Sequence, residues 1–197
     1  MRCFAAVVSV VVMASFCHAA DWNVDPVHSS VSFSVKHVMV STVKGGFTNF
    51  TGTAKYDPAN PESLAIEGTI DAASITTGNA GRDNHLRSKD FLNVQEFPRI
   101  TFKSKELKKA ADGSYAVVGS LGLHGVTNAV TLQLKDLAPP VSFNGTRVGF
   151  SLSGQIDRDK FGLTWNKAIE TGGVVVGNEV KISADIEMIQ VAPPAKP

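Results

Sequence analysis

The chain has few cysteines, few tyrosines and no excess of charge of either sign. Its 197 residues include two cysteines, Cys3 and Cys17, so the part beyond residue 20 has no disulfide framework. Nineteen basic residues stand against 18 acidic ones, a balance that argues against nucleic acid or another polyanion as partner. Two tyrosines stand beside eleven phenylalanines, so most aromatic side chains lack a polar group and suit a core or an apolar cavity.

Motifs of catalysis and metal binding are also missing. The sequence contains no Gly-x-Ser-x-Gly elbow and no phosphate-binding glycine-rich loop that opens a helix. It has no His-x-His, His-Glu-x-x-His or paired-cysteine motif. We therefore expect no metal, no cofactor other than a bound ligand, and no enzymatic activity.

The one long apolar run lies at the N-terminus and is typical of a secretory signal. Arg2 supplies a positive charge, residues 4–16 are almost wholly apolar, and small residues follow. We expect cleavage after Ala19 or Ala20 and export to the periplasm. The signal would then occupy residues 1–20, one domain residues 21–191, and a loose proline-rich tail residues 192–197.

Alternation of apolar and polar residues is the main pattern from Ser29 to Gln190. In residues 148–156 every second residue is apolar or glycine, the period of a strand with one dry face and one wet face. Eight such stretches predict an all-β fold, an eight-stranded antiparallel barrel whose consecutive strands are neighbours. A two-sheet sandwich would alternate in the same way and stays open here. Gly45-Gly46 is taken as a turn, followed by a strand from Phe47 to Tyr56.

Residues 78–95 break the alternation and predict a short helical insertion. Asn79 is a suitable N-cap for a helix from about Ala80 to Phe91. Arg82 and His85 on this helix either hold it to the barrel or meet the polar head of a ligand, because a guanidinium binds anionic groups well.

Small residues at inward positions raise the question of whether the barrel is filled or hollow. They serve bends and bulges, or they leave a void along the axis. A closed sheet of eight strands has room for one small ligand, and a height of roughly 26 Å suits an extended lipid tail. The small positions are Gly52, Ala54, Gly68, Gly119, Gly154 and Ala184, and we expect Gly154→Phe to block the void. We expect the lining to include Phe33, Val35, Phe102, Leu121, Phe150, Ile156, Ile182 and Ile186.

Other polar and aromatic residues are candidates for the mouth of such a void. His37 shares the parity of the inward residues, and its ring meets either a ligand phenol or phosphate or, as we favour, a loop carbonyl. Arg158 has the same two roles open as Arg82, with Asp159 as a local partner. The candidates for the mouth and the head group are His37, Arg82, His85, Leu86, Phe91, Arg158, Phe161 and Trp165.

Seven ordered blocks from about Trp22 to Ile189 resemble the YceI-like family of exported bacterial lipid-binding proteins. The blocks are Asp25-Pro26-Val27-His28-Ser29-Ser30, Phe33-Ser34-Val35-Lys36-His37, Thr77-Gly78-Asn79-Ala80, Arg82-Asp83-Asn84-His85-Leu86, Phe97-Pro98-Arg99-Ile100-Thr101-Phe102, Leu123-His124-Gly125-Val126-Thr127 and Asp157-Arg158-Asp159-Lys160-Phe161-Gly162.

The resemblance implies a lipocalin-like barrel with an apolar tunnel for a polyisoprenoid or a similar amphiphile, such as an isoprenoid quinone or a polyprenyl phosphate. It also implies a homodimer and a transient membrane or cytochrome b561 partner as further expectations. The sequence thus favours an exported carrier that transports, stores or sequesters such a lipid. An enzyme acting on a prenyl or acyl lipid, and a filled-barrel stress or interaction protein, are the alternatives.

Overall fold

Twelve strand segments form the wall of the described molecule. The computed structural model describes residues 19–169 and 172–192. The one α-helix in this part, α1, spans Ala80–Arg87, and short 3-10 helices span Ala72–Ser74 and Arg158–Phe161. The strands are β1 (Ala20–Val24), β2 (Ser30–His37), β3 (Ser41–Phe47), β4 (Phe50–Asp57), β5 (Asn60–Asp71), β6 (Ile75–Thr76), β7 (Arg99–Lys109), β8 (Tyr115–Leu123), β9 (Val126–Lys135), β10 (Val141–Ser142), β11 (Thr146–Asp157) and β12 (Val176–Gln190).

These strands close into a barrel. The ring runs β11–β9–β8–β7–β5–β4–β1–β12, and residues 179–189 of β12 pair back onto residues 147–157 of β11. Strand β2 continues β1 along β12, β3 leads into β4, and β6 continues β5. The eight strands of the barrel are antiparallel to their neighbours, which confirms the predicted barrel and excludes the sandwich.

The first three barrel strands are each interrupted once. Residues 25–29 make a detour between β1 and β2, residues 48–49 separate β3 from β4, and a 3-10 helix separates β5 from β6. The expected turn at Gly45-Gly46 was wrong, since both glycines lie inside β3, paired with Phe33 and Ser32. They are small for another reason: a Cβ on Gly45 would lie 2.5 Å from the Phe33 ring. The predicted strand from Phe47 to Tyr56 is divided as well, because Phe47 ends β3 and β4 begins at Phe50.

The helical insertion is present but shorter than predicted. Asn79 caps α1, and its Oδ1 accepts a hydrogen bond from the Arg82 backbone N–H at 3.0 Å. The helix ends at Arg87 rather than Phe91, because Ser88 adopts an extended backbone and its hydroxyl donates to the His85 carbonyl at 2.8 Å. Turns then lead through residues 88–97 to β7, which frees Phe91 and Leu92 to face the barrel.

The barrel has two ends with different contents. The lower end is packed with large side chains, of which Trp22, Tyr56, Val117 and Met188 are at most 3% exposed. The Trp22 indole N–H donates to the Tyr56 carbonyl at 3.2 Å. The upper end carries α1, the turn between β2 and β3, and the loop after Phe161. The barrel is therefore closed below and covered by helix and loops above.

Parts of the predicted domain plan fall outside the described residues. Residues 1–18, which hold most of the expected signal peptide, and residues 193–197 of the tail are among them. Ala20 is the first residue of β1 and pairs with Tyr56. No helix of the described chain is long and apolar enough to cross a bilayer.

Candidate functional site

Two apolar cavities lie one above the other inside the barrel. The lower cavity has a volume of about 140 Å³ and the upper one about 190 Å³. An apolar cavity of roughly 150 Å³ lined by aliphatic and aromatic side chains stays dry and accepts apolar guests. Each cavity is therefore large enough to take up part of an apolar molecule.

A girdle of five aliphatic residues lines both cavities and marks the boundary between them. Its members come from five strands, β2, β5, β7, β8 and β12, and point to the axis. They are Val31, Ile70, Ile100, Leu121 and Ile182. A guest that uses both cavities must pass this girdle, so the shape favours a thin, extended molecule over a compact one.

All eight residues expected to line a tunnel contribute to these cavities. Phe102, Phe150 and Ile186 line the lower one, Phe33, Val35 and Ile156 the upper one, and Leu121 and Ile182 line both. Their contact with a ligand stays a prediction. The girdle residues Val31, Ile70 and Ile100 were missed, although the same alternation in their strands points them inward.

The six small inward residues divide into three groups. Gly52, Gly68 and Ala184 line the lower cavity, Ala54 is buried in the core of the lower end, and Gly119 and Gly154 make room for neighbouring side chains. A Cβ on Gly119 would lie 2.7 Å from the Phe102 ring, and one on Gly154 would lie 2.7 Å from Leu132 Cδ2. Gly154→Phe is therefore no clean block of the cavity, because Leu132 and the backbone of β9 already occupy that space.

A cluster of three rings covers the upper cavity. The His85 ring lies 5.0 Å from Phe91 and 4.9 Å from Trp165, and the latter two are 5.0 Å apart. His85 Nε2 and Asp90 Oδ2 are 2.7 Å apart, which fixes the imidazole in the cluster. Leu86 and Phe91 line the cavity beneath. His85, Leu86, Phe91 and Trp165 thus come together at the expected mouth.

Two arginines of the predicted mouth are engaged in holding the fold. Arg82 donates from Nε to the Thr77 hydroxyl at 2.7 Å and from Nη2 to the Thr77 carbonyl at 3.1 Å. Arg158 is 3% exposed and donates to the carbonyls of Gly177 and Leu163. Burial lowers the pKa of Arg158 from its usual value. Because Arg158 also lines the upper cavity, it is the one ionisable residue among the described lining residues there.

Asp83 anchors the helix from the other side. It is 6% exposed and accepts hydrogen bonds from the Thr77 N–H at 2.8 Å and from the Thr76 and Thr77 hydroxyls. Hydrogen bonding to Thr77 lowers the pKa of Asp83 below its usual value. The N-terminus of α1 is therefore clamped to β6 and the loop that follows it.

The remaining candidates for the mouth, Phe161 and His37, lie outside the ring cluster of His85, Phe91 and Trp165. Phe161 is 2% exposed and belongs to the upper core, so it is a packing residue rather than a rim residue. His37 is half-buried beside Val176, and no loop carbonyl in the described part of the chain accepts from its ring. His124 Nδ1 lies 3.1 Å from the Phe161 carbonyl.

One polar cluster lies away from both cavities. Asp25, His28 and Glu187 bring ligand-type atoms within 4.8 Å of one another. Arg147 already bridges the two carboxylates, 2.9 Å from Asp25 Oδ2 and close to Glu187 Oε1. The guanidinium offsets part of the negative charge of the two carboxylates, so these residues form an ion-pair network that holds the detour of residues 25–29.

A closed antiparallel barrel with a dry interior is the architecture of a lipocalin-like binding protein. The family model that describes the YceI-like domain matches residues 22–188. The chain belongs to this family.

Relatives agree with this assignment over nearly the whole chain. A UPF0312 protein of Staphylococcus aureus is 38% identical over 176 residues, covering 85% of this chain and 96% of the relative. The crystal structure of Burkholderia cenocepacia BcnA superposes with a TM-score of 0.71 at 27% identity, covering 83% of this chain and 98% of that one.

A more distant structure shares the fold alone. It is described as a polyisoprenoid binding domain from Saccharophagus degradans implicated in plant cell wall breakdown. It superposes with a TM-score of 0.63 at 15% identity and covers 88% of this chain and 99% of its own.

Proposed function

We propose that this protein binds one long-chain isoprenoid or a similar amphiphilic lipid inside the barrel, without covalent chemistry. The observation that carries the proposal is the pair of stacked dry cavities joined at an aliphatic girdle. The lower one ends on a solid floor, and the upper one lies under aromatic residues. The description of the Saccharophagus degradans domain as polyisoprenoid-binding supports the same ligand class.

Apolar burial is sufficient to hold such a ligand. Removing about 500 Å² of tail from water at ~25 cal/mol/Å² yields roughly 12 kcal/mol gross. Immobilising the chain and losing translational freedom takes back several kcal/mol. The remainder corresponds to micromolar binding or tighter with no ionic contact to the head group. Affinity would then come from the cavities, and the head group would lie near the ring cluster of His85, Phe91 and Trp165.

The same proposal includes export and a carrier role. The apolar N-terminal segment with its small residues supports cleavage by signal peptidase. Cleavage after Ala19 would leave all of β1 intact, since β1 begins at Ala20. The exported protein would carry, store or sequester its lipid, with isoprenoid quinones and polyprenyl phosphates as the ligands to test first.

Native mass spectrometry of the protein from its own cells tests both parts. We expect the polypeptide mass to correspond to a chain beginning at Ala20 or Asp21, with an added mass that dissociates as a prenyl lipid. In a second measurement, the delipidated protein should bind fluorescent prenyl probes more tightly as the chain lengthens, until both cavities are filled. A protein that carries no lipid and binds no prenyl probe would contradict the proposal.

A further inference from the structure

The turn between β2 and β3 carries apolar side chains on an unfavourable backbone. Val38 and Met39 have φ of +44° and +65°, and the Val40 N–H donates to the His37 carbonyl at 3.1 Å. Positive φ at both central positions favours Asn-Gly and strains a β-branched residue. Met39 is nevertheless 62% exposed and Val40 81% exposed. Met39 and Val40 thus gain little burial within the described molecule, and Val38 and Met39 hold an unfavourable backbone conformation.

The charges of this hairpin have one sign. From Ser30 to Phe47 it carries Lys36 and Lys44 and no carboxylate. Both lysines are exposed, and neither forms a salt bridge with a described residue; the ion pairs of the described chain lie elsewhere. An apolar tip flanked by exposed ammonium groups is complementary to a lipid bilayer with an apolar interior and anionic head groups.

The neighbouring loop extends the same surface. A Cβ on Gly173 would meet both Met39 Cγ at 3.5 Å and Ile169 Cδ1 at 3.7 Å, so these two apolar side chains lie together. Lys167 lies two residues before Ile169 on this loop, and its Nζ is 5.9 Å from the Trp165 ring centroid. We call Val38, Met39, Val40 and Ile169, with Lys36, Lys44 and Lys167, the tip surface.

The tip surface lies beside the upper cavity. The Val38 N–H donates to the Val175 carbonyl at 2.8 Å. Val176, next to Val175, and Val35, three residues before Val38, line the cavity. Phe143 is similarly exposed, at 69%, but it stands before β11 at the lower end, where Trp22 and Met188 fill the barrel. Unlike Phe143, the tip between β2 and β3 therefore lies next to the upper cavity.

We propose that the tip surface docks on a bilayer containing anionic phospholipid and holds the upper cavity against it for lipid exchange. The exchange role rests on the proposed function, whereas docking itself does not. Apolar side chains would enter the boundary between head groups and acyl chains, and the lysines would pair with lipid phosphates.

The test uses a variant that removes the apolar tip and improves the turn. Val38→Asn combined with Met39→Gly places Asn-Gly where positive φ is required and keeps the N–H that donates to Val175. We expect this variant to keep or raise the melting temperature and to bind prenyl probe in solution as the unchanged protein does. Phe143→Asn is the matched control, because it removes an equally exposed apolar side chain from the other end.

Binding is measured by co-sedimentation with vesicles of equimolar phosphatidylglycerol and phosphatidylcholine, and with phosphatidylcholine alone. We expect the unchanged protein to prefer the anionic vesicles and the double variant to bind them at least about tenfold more weakly, since two large apolar side chains are lost. Phe143→Asn should bind as the unchanged protein does. Docking is overturned if the unchanged protein ignores anionic vesicles, if the double variant binds them equally, or if Phe143→Asn is the variant that fails. Tip-dependent vesicle binding without prenyl binding would support docking and refute the proposed function.

Discussion

Arg147 Nη1 lies 2.9 Å from Asp25 Oδ2 and so joins the start of β11 to the detour between β1 and β2. The same guanidinium bonds Glu187 on β12, and His28 Nδ1 lies 2.8 Å from Asp25. Hydrogen bonding to His28 first, and then to Arg147, holds the pKa of Asp25 well below its usual value. The five residues that leave the barrel wall are thus tied back to it by charge, in addition to the hydrogen bond from the Asp25 N–H to the Glu187 carbonyl at 2.8 Å.

This network predicts a loss of stability in acid. A carboxyl group whose pKa is lower in the folded than in the unfolded chain stabilises the fold above the unfolded pKa, near 3.8, and that contribution disappears as the pH falls further. We expect Asp25→Asn to lower the free energy of unfolding at neutral pH. Near about pH 3, the free energies of unfolding of the variant and of the unchanged protein should lie closer together. Urea denaturation at several pH values measures both.

Asp21→Asn is the matched control for Asp25→Asn. Asp21 is 67% exposed in its side chain and faces Lys55 at 3.5 Å on the surface, so its loss should change stability by less than about 0.5 kcal/mol. An equal pH dependence in Asp25→Asn and the unchanged protein would show that the network does not stabilise the fold.

The barrel could be predicted from sequence because side-chain alternation is set by each strand alone. The N-cap at Asn79 was found for the same reason, as it depends on the next three residues. The true turn at Val38 and Met39 was missed, because local preference opposes it and favours Gly45-Gly46. Those glycines are needed where Phe33 approaches from the neighbouring strand, a contact that residue spacing does not reveal.

The candidate site shows the same division between local and long-range information. The positions that line the two cavities follow from parity along their strands, which also points Val31 inward. The burial of Arg158 was not foreseen, because its partner Gly177 lies on β12, which only the fold places beside Arg158. No carbonyl among the described residues accepts from the His37 ring, because the course of the neighbouring loop, which residue spacing does not reveal, decides its surroundings.

We expect Arg158 to contribute to the stability of the fold more than to the recognition of a charged head group. Its donors reach the Gly177 carbonyl at 3.1 Å and the Leu163 carbonyl, and an ammonium group has neither the reach nor the fork to bond both. We expect Arg158→Lys to lower the free energy of unfolding by about 2 kcal/mol in chemical denaturation. Arg99→Lys, at an exposed position at the start of β7, should leave it nearly unchanged. Unaltered stability in Arg158→Lys would mean that the two carbonyl bonds are dispensable.

Gly68 is the position from which the lower cavity can be filled. A Cβ there meets only the Thr51 carbonyl oxygen, at 3.8 Å, and the residue lines the cavity. We expect Gly68→Val to fold normally and to weaken binding of long prenyl probes by about 2 kcal/mol, or roughly 30-fold, because it displaces two to three methylene groups of the tail. Probes short enough to stay in the upper cavity should bind as before.

Gly149→Val controls for adding the same side chain to a strand. Gly149 lies on the outer face of β11, and a Cβ there meets only the Ile186 carbonyl oxygen at 3.6 Å. This variant should bind probes of every length as the unchanged protein does. If Gly68→Val also leaves long probes unaffected, the tail does not enter the lower cavity.

Trp165 should control how fast a ligand leaves. Its ring packs on His85 and Phe91 over the upper cavity but does not line it, so it covers the guest without contacting much of it. Each ring contact contributes about 0.5–1.5 kcal/mol, and losing both should raise the dissociation rate of a bound prenyl probe about tenfold in Trp165→Ala. Stopped-flow displacement by excess unlabelled probe measures this rate. Trp165→Phe retains an aromatic ring and should restore most of the slow release; if both variants release the probe at the original rate, the ring cluster is not the barrier to exit.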